Sequence, residues 1–416
     1  MKKLFVVSLC LFLASLVVVP HRAAYSQARS PQSPAYVEGE IIVKLKAEVA
    51  DLADQDIPEF ILRAPGAQAE RLSQRERGLN LVRLNGRISV EQAVAAAQAD
   101  PRVEYAEPNY LYEASVTQPN DPRFSDEWGL MNSFSSLTAG STPADIGATR
   151  AWDITTGSDD MVVAIIDTGV DISHEDLAAN IWTNPREIAG NGVDDDGDGY
   201  VDDVHGWNFR DNKADMFVSA SEDLHATHVA GTIGAVGNNQ LGVAGVAWHV
   251  KLMSLKFLGG SKGSGSTADA IRAIDYLLYQ KSHGVNVRVI NSSWGGPGAS
   301  QALHDKIQEA GDNGVVFVCS AGNDSADNDG TSPDYPAAFA ASLSNVISVA
   351  AIDITDNLAD FSNYGHVATT IGAPGQSILS TVPHTSAFPN GSYGSLSGTS
   401  MASPHVAGVV ALLLSN

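Results

Sequence analysis

Apolar and polar positions follow three different rhythms along the chain. Between Tyr36 and Tyr112 the segment Glu40-Ile41-Ile42-Val43-Lys44-Leu45 alternates at strand spacing, and Leu79 to Leu84 repeats the signal. An alanine-rich helix from Val90 to Ala99 and a strand from Val103 to Tyr105 follow. These elements predict a small α+β unit. From Ala151 onward short apolar runs (Met161 to Asp167, Lys251 to Phe257, Val287 to Ser293, Val315 to Ser320, Val346 to Ala351) are separated by helical segments such as Thr267 to His283 and Ser300 to Asn313. Strands that are apolar throughout and alternate with helices predict an α/β unit, a mainly parallel sheet covered on both faces. The third rhythm is an unbroken apolar run from Leu4 to Val19, behind Lys2 and Lys3 and followed by Pro20 and small residues at Ala23, Ala24 and Ala28. That order predicts a cleavable secretory signal; the run is shorter than the ~20 residues of a spanning helix.

Composition sharpens this division. A Ser/Pro/Gln-rich stretch from Ser26 to Pro34 reads as a linker, and a short polar stretch with Pro119 between Glu113 and Asn120 as a domain boundary. Residues 1–27 are thus the expected signal and 28–35 the linker. The net charge is −23, and nearly all of it falls beyond residue 114. Such a surface disfavours nucleic acid and anionic lipid as partners. Cys10 lies in the apolar run with Leu9 before it, where lipidation wants a small residue, and Cys319 is the only other cysteine, so a processed chain forms no internal disulfide. Stability must come from packing or from metals.

Three motifs carry candidate chemistry. The first apolar run of the α/β unit ends in Asp167-Thr168-Gly169, an acid at the strand end where open α/β sheets place ligands; a turn-capping role is the plainer reading. His225-Ala226-Thr227-His228 opens a helix, and two histidines three apart also invite a metal. No Glu stands between them, so the metalloprotease pattern is missing. Gly398-Thr399-Ser400-Met401-Ala402 precedes an apolar helix from Val406 to Leu414, setting Ser400 in the field of a helix N-terminus. Ala402 rules out the nucleophile elbow of α/β-hydrolases.

Asp, His and Ser in this order match one of the chain orders in which a serine-protease triad occurs. On these three motifs the chain resembles the subtilisin-like serine proteases, the subtilases, over residues 36 to 416. The resemblance implies a three-layer subtilisin-like fold and a secreted serine endopeptidase, extracellular or periplasmic, that acts as a monomer on polypeptides. It makes Ser400 the nucleophile, His225 the general base and Asp167 its orienting acid, and reads His228 as structural. Asn323, in Ser320-Ala321-Gly322-Asn323-Asp324, becomes the side-chain donor to the oxyanion. Gly263-Ser264-Gly265 and Ser293-Trp294-Gly295 become edges that pair with an extended substrate. Ser320, Ala321, Gly322 and Gly295 line a roomy pocket for the residue before the cleaved bond.

Residues 36–113 resemble the subtilase propeptide, an intramolecular inhibitor closing on Val103-Glu104-Tyr105-Ala106-Glu107-Pro108-Asn109 and cut off near Glu113 to Gln118. Residues 114–150 then begin the mature enzyme, and 151–416 form its catalytic domain. The chain stops two residues beyond the last helix, where subtilases continue, so the resemblance implies a truncated product. Ala226 stands where a Gly is usual.

Metal chemistry is suggested by Asp194-Asp195-Asp196-Gly197-Asp198-Gly199-Tyr200-Val201-Asp202-Asp203. Carboxylates at alternate positions with a turn glycine suit Ca²⁺, with Asp194, Asp196, Asp198, Tyr200, Asp202 and Asp203 as candidate ligands. An EF-hand would need Glu at the twelfth position, where His205 stands. A second calcium is implied by the thermitase-like branch of the family, held by Asp121, Asp176, Asn239 and the carbonyls of Gly237, Leu241 and Val243. Lys213 removes a carboxylate expected at another site of that branch. The rival readings are a subtilase-like binding module without activity, and a zinc hydrolase built on His225 and His228.

Overall fold

The computed structural model describes residues 36–50, 66–111, 116–132, 144–383 and 392–416. The expected signal and linker, and residues 113–115 of the expected cleavage segment Glu113 to Gln118, lie outside the described residues. The chain divides into two compact units, residues 1–114 and 115–416.

In the first unit β1 (Tyr36–Leu45), β2 (Gln68–Arg71), β3 (Leu79–Arg83) and β4 (Val103–Tyr110) form an antiparallel sheet of order β2-β3-β1-β4. Helix α1 (Val90–Gln98) starts in a reciprocal capping box between Ser89 and Gln92. It buries Val90, Ala93 and Ala97 in one cluster with Ile41, Val43 and Val82. β4 runs five residues past the predicted strand, through Pro108, because it is an edge strand and its missing N–H costs no ladder bond there.

The second unit is built on a seven-stranded parallel sheet of order β11-β10-β9-β8-β5-β7-β6. Its strands are β5 (Gly157–Asp167), β6 (Gly206–Asn208), β7 (His249–Lys256), β8 (Val287–Ser292), β9 (Val316–Ser320), β10 (Val346–Ile352) and β11 (Ile371–Pro374). A hairpin of β12 (Ile378–Thr381) and β13 (Tyr393–Leu396) follows. Alternation along β5 divides its side chains between two cores. Val163 and Ile165 pack with Val229 and Ile233 of α2 (Leu224–Gly234) and with Ala402, Ala407 and Ala411 of α5 (Thr399–Ser415). Val162, Ala164 and Ile166 pack with Ile274 and Leu277 of α3 (Thr267–Ser282) and Ile307 of α4 (Gln301–Asp312). This is the expected three-layer arrangement. Strand order reverses between β5 and β8, so a crevice opens beyond their carboxyl ends, the usual ligand position in such sheets.

The last helix differs from its prediction. It begins at Thr399 rather than Val406 and carries Pro404 inside it. Pro404 has no N–H for the Ser400 carbonyl, and the Ser293 hydroxyl donates to that carbonyl instead, at 3.0 Å. A neighbouring strand end thus satisfies the orphaned acceptor, and Ser400 lies inside the first turn.

Candidate active site

Asp167 is the last residue of β5 and is fully buried. Its Oδ1 accepts the Thr168 N–H at 2.6 Å and the His225 ring Nδ1–H at 2.8 Å. His225, second residue of α2, is held against it by a stitch between two chain segments. The Ala226 N–H donates to Thr168 Oγ1 at 3.0 Å, and the Gly169 N–H to Asp223 Oδ1 at 2.8 Å. Gly169 must be glycine, since a Cβ there would stand 1.8 Å from the Met216 carbonyl oxygen. Asp223 in turn meets Lys256 Nζ at 2.6 Å; both are wholly buried, and Glu222 adds a second contact at 2.8 Å. None of these supports was legible as a motif. Ala226, the departure from the usual Gly, is accommodated in the core cluster beneath α2.

Burial alone would push the His225 imidazole down, but the charge of Asp167 and the hydrogen bond to it outweigh that and hold it above its ordinary value. The His225 side chain remains one-third open, at 33% exposure. His228 is different: its Nε2 bonds the Ile378 carbonyl at 2.8 Å, and burial pulls it down to about 3. The two rings are committed to different partners, and the acidic clusters able to hold a metal among the described residues contain no histidine. The zinc reading has no support in this geometry.

Ser400 Oγ donates to the Ser293 carbonyl at 3.1 Å, and His225 Nε2 makes no hydrogen bond among the described residues. The Ser400 hydroxyl and the His225 ring are thus not hydrogen-bonded to each other, as is common in ligand-free sites. Beside it, Asn323 Oδ1 accepts both the N–H of Thr399 at 2.9 Å and its hydroxyl at 3.0 Å. With its oxygen anchored, the amide turns its Nδ2 donor outward. A Cβ on Gly398 would lie 3.6 Å from the Ser400 nitrogen and 3.7 Å from Asn323 Nδ2, so both donors border one small space. That is an oxyanion site in geometry. Replacing Asn323 by alanine is expected to lower kcat by about 10²–10³-fold with little change in KM, measured on a peptide anilide.

Comparison with known proteins agrees with this geometry. The model of the subtilase family matches residues 158–416, and that of the fervidolysin N-terminal prodomain matches residues 22–109. The chain belongs to the subtilase family. The subtilase is 36% identical over 390 residues to a thermophilic serine proteinase of Bacillus sp. (strain AK1), covering 93% of this chain and 80% of that one. To thermitase of Thermoactinomyces vulgaris it is 37% identical, covering 71% of this chain and 85% of that one. It is 38% identical to an extracellular protease of Xanthomonas campestris, covering 79% of this chain and 55% of the relative. A solved protease of Pseudoalteromonas arctica PAMC 21717 superposes with a TM-score of 0.55 at 34% identity, covering 71% of this chain and 87% of that one. This subtilase is a thermitase-like serine endopeptidase with an N-terminal prodomain.

The two expected substrate edges converge on one cavity. Gly263-Ser264-Gly265 and Trp294-Gly295 border a cavity of ≈320 Å³ together with Phe257, Leu303 and Tyr335, while the Ser293 hydroxyl is engaged by Ser403 Oγ at 2.8 Å. Ser320, Ala321 and Gly322 continue from β9 toward Asn323 and are joined to the turn before Ser400 by the Gly322 N–H to Thr399 Oγ1, at 3.2 Å.

The acidic loop gathers into two groups, Glu187 with Asp194 and Asp196, and Asp196 with Asp198 and Asp203. Glu187 comes from outside the motif and was not expected; its Oε2 is buried without a partner. Asp202 stands apart: its oxygens accept the N–H groups of Asn191 and Gly192 at 3.1 and 3.0 Å, closing the loop's base. The Tyr200 ring packs against Trp207, Phe209 and Tyr276. Burial, with neighbouring acids, raises Asp198 to about 6 and Asp203 to about 7. Arg186 offsets part of this charge, 2.9 Å from Asp196.

Of the second set, Asp121, Asp176 and Asn239 come together, with Asn239 Oδ1 accepting the Leu241 N–H at 2.8 Å. Asp121 and Asp176 are buried on either side of the loop 237–243, with Asn239 Nδ2 donating to Asp176 at 2.7 Å and the Asn238 N–H to Asp121 at 2.6 Å. A third acid, Glu127, is buried beside them and accepts the Ala244 N–H at 2.9 Å; desolvation keeps it well above the usual carboxylate range.

Proposed function

We propose that this subtilase is exported as a precursor, frees itself by cutting after its prodomain, and hydrolyses polypeptides through an acyl-enzyme on Ser400. The observation that carries the reading is the Asp167–His225 hydrogen bond, set beside a serine whose own N–H and the Asn323 amide border one space. In this mechanism an extended substrate pairs with the edges at Gly263 to Gly265 and Ser293 to Gly295. Ser400 Oγ attacks the carbonyl carbon while His225 Nε2 takes its proton. Asp167 fixes the ring through Nδ1–H and stabilises the imidazolium. Charge on the former carbonyl oxygen is met by Ser400 N–H and Asn323 Nδ2. His225 then returns the proton to the departing amine, and water enters by the same route to release the acid.

Export is supported by the signal-like N-terminus and by the extracellular relative; among the described residues no helix is long and apolar enough to cross a membrane. Until the cut, the prodomain keeps the enzyme silent. N-terminal sequencing of the product is the test, with a new terminus expected between Glu113 and Gln118. A precursor that stays intact under conditions where the purified protein digests casein would sink the autoprocessing step.

Calcium is the metal we assign to the acidic loop and to the Asp121–Asp176 pair. Crowded, half-buried carboxylates and an unpartnered Glu187 oxygen suit a hard divalent cation. Glu187, Asp194, Asp196, Asp198 and Asp203 would hold one ion; Asp121, Asp176 and Asn239 would hold another. Bound calcium would neutralise charges that otherwise repel, with no part in the chemistry. Stabilisation is about 2.7 kcal/mol for an ion at a hundredfold excess over Kd. Chelation by EGTA is therefore expected to lower Tm by about 5–10 °C, with recovery on adding Ca²⁺ and not Mg²⁺. An unchanged Tm would remove the assignment.

A further inference from the structure

The segments 293–295 and 320–322, expected to wall the pocket for the side chain before the cleaved bond, each carry a glycine that faces the same acid. A Cβ on Gly295 would stand 2.4 Å from Asp334 Oδ1, and one on Gly322 would stand 2.6 Å from Asp334 Oδ2. The Asp334 carboxylate is therefore wedged between the two walls, touching both. Its Oδ1 is sealed from solvent and has no hydrogen-bond partner. Asn363 Nδ2 lies on the Gly322 side but bonds Asn328 Oδ1 at 3.3 Å. The other charge acting on Asp334 is that of Asp324, also negative.

Backbone contacts hold this acid in place. The Asp334 N–H donates to Asn328 Oδ1 at 3.1 Å, and Tyr335 exchanges two hydrogen bonds with Gly296, at 2.8 and 2.9 Å. That bridge fixes the backbone of residues 334–335 beside the 293–295 edge. A half-buried carboxylate without a counter-charge is costly to keep, and burial raises Asp334 above its ordinary range against the opposing effect of the Gly296 and Tyr335 backbone N–H groups.

We propose that this subtilase selects lysine or arginine at the residue before the cleaved bond, with Asp334 as the specificity-determining counter-charge. The proposal rests on the catalytic roles given to Ser400, His225 and Asp167. An ammonium or guanidinium entering between small walls supplies the donor that Oδ1 lacks and neutralises the site. Asp324 adds attraction for the same cation, and the two acids together reject a substrate carboxylate.

The test uses the mature enzyme and two peptide anilides identical except for lysine or leucine before the anilide. Wild type is expected to prefer lysine. Asp334→Asn should lower kcat/KM on the lysine substrate by about 10- to 100-fold and so collapse the lysine-to-leucine ratio. A wild-type preference for leucine overturns the proposal and needs no variant, so a misfolded variant does not shield it. A lysine-to-leucine ratio that is the same in wild type and Asp334→Asn also overturns it. Failure to cleave either substrate, with no labelling of Ser400 by a fluorophosphonate, overturns the catalytic reading itself, and the proposal with it.

Discussion

Asp167→Asn lowers kcat/KM by about 10⁴-fold while the catalytic unit stays folded. An asparagine keeps the size of the side chain and can still accept the Thr168 N–H through its oxygen, so the turn after β5 survives. What is lost is the negative charge facing the His225 ring at 2.8 Å. The imidazolium formed during acyl transfer then has no counter-charge, and the ring can settle in the wrong tautomer. The pH profile separates this from simple misplacement. His225 is held above its ordinary value by Asp167 against the opposing effect of burial. Activity needs the neutral ring, so in wild type it falls as pH drops through that raised value. In the Asp167→Asn variant the burial effect remains and the raising effect is gone, so the acid limb of kcat/KM should move to lower pH. An acid limb that stays in place while activity collapses would mean that Asp167 positions the ring without tuning it.

Lys256→Met destabilises the catalytic unit by about 3–5 kcal/mol, the usual consequence of removing one partner from a buried ion pair. Lys256 and Asp223 have no side-chain exposure, whereas Glu222, the other acid on Lys256, keeps 17%. Asp223 still accepts backbone N–H groups from Gly169 and Ser219, at 2.8 and 3.0 Å, but it would do so as an uncompensated buried charge. The fall in Tm is about 10 °C for a unit of this size. Activity per folded molecule should fall as well, because Asp223 joins the Asp167 turn to the residues just before His225. Glu222→Gln is the comparison, with little expected change since that carboxylate reaches water. Equal melting of Lys256→Met and wild type would show that the pair is not what fixes this corner.

Residues whose roles are local were legible from the sequence. The apolar run into Asp167, the His225 helix and the turn before Ser400 each announce themselves within a few positions, and the alternating acids of the loop 194–203 do the same. Contacts made by topology were not. Glu187 reaches the acidic cluster because the chain folds back, while Asp202, inside the motif, turns to cap Asn191 and Gly192. Lys256 pairs with Asp223 only because β7 lies beside β5 in register, with Asp167 opposite Lys256. Asp334 meets Gly295 and Gly322 across three separate segments, so a pocket expected to be roomy and undemanding has a carboxylate against both of its glycines. The start of α5 was displaced for a related reason: proline normally signals a boundary, and here the partner that satisfies the freed Ser400 carbonyl comes from residue 293.

The measurement that bears most directly on this account is made on the full precursor in calcium, wild type beside Ser400→Ala. Both are treated with a fluorophosphonate, mapped by peptide mass, and followed for loss of the prodomain. Wild type should carry the adduct on Ser400 and shed the prodomain, while Ser400→Ala stays whole and unlabelled with an unchanged far-UV spectrum. Processing of Ser400→Ala at the wild-type rate, or an adduct on another residue, would contradict the assignment of Ser400 as nucleophile.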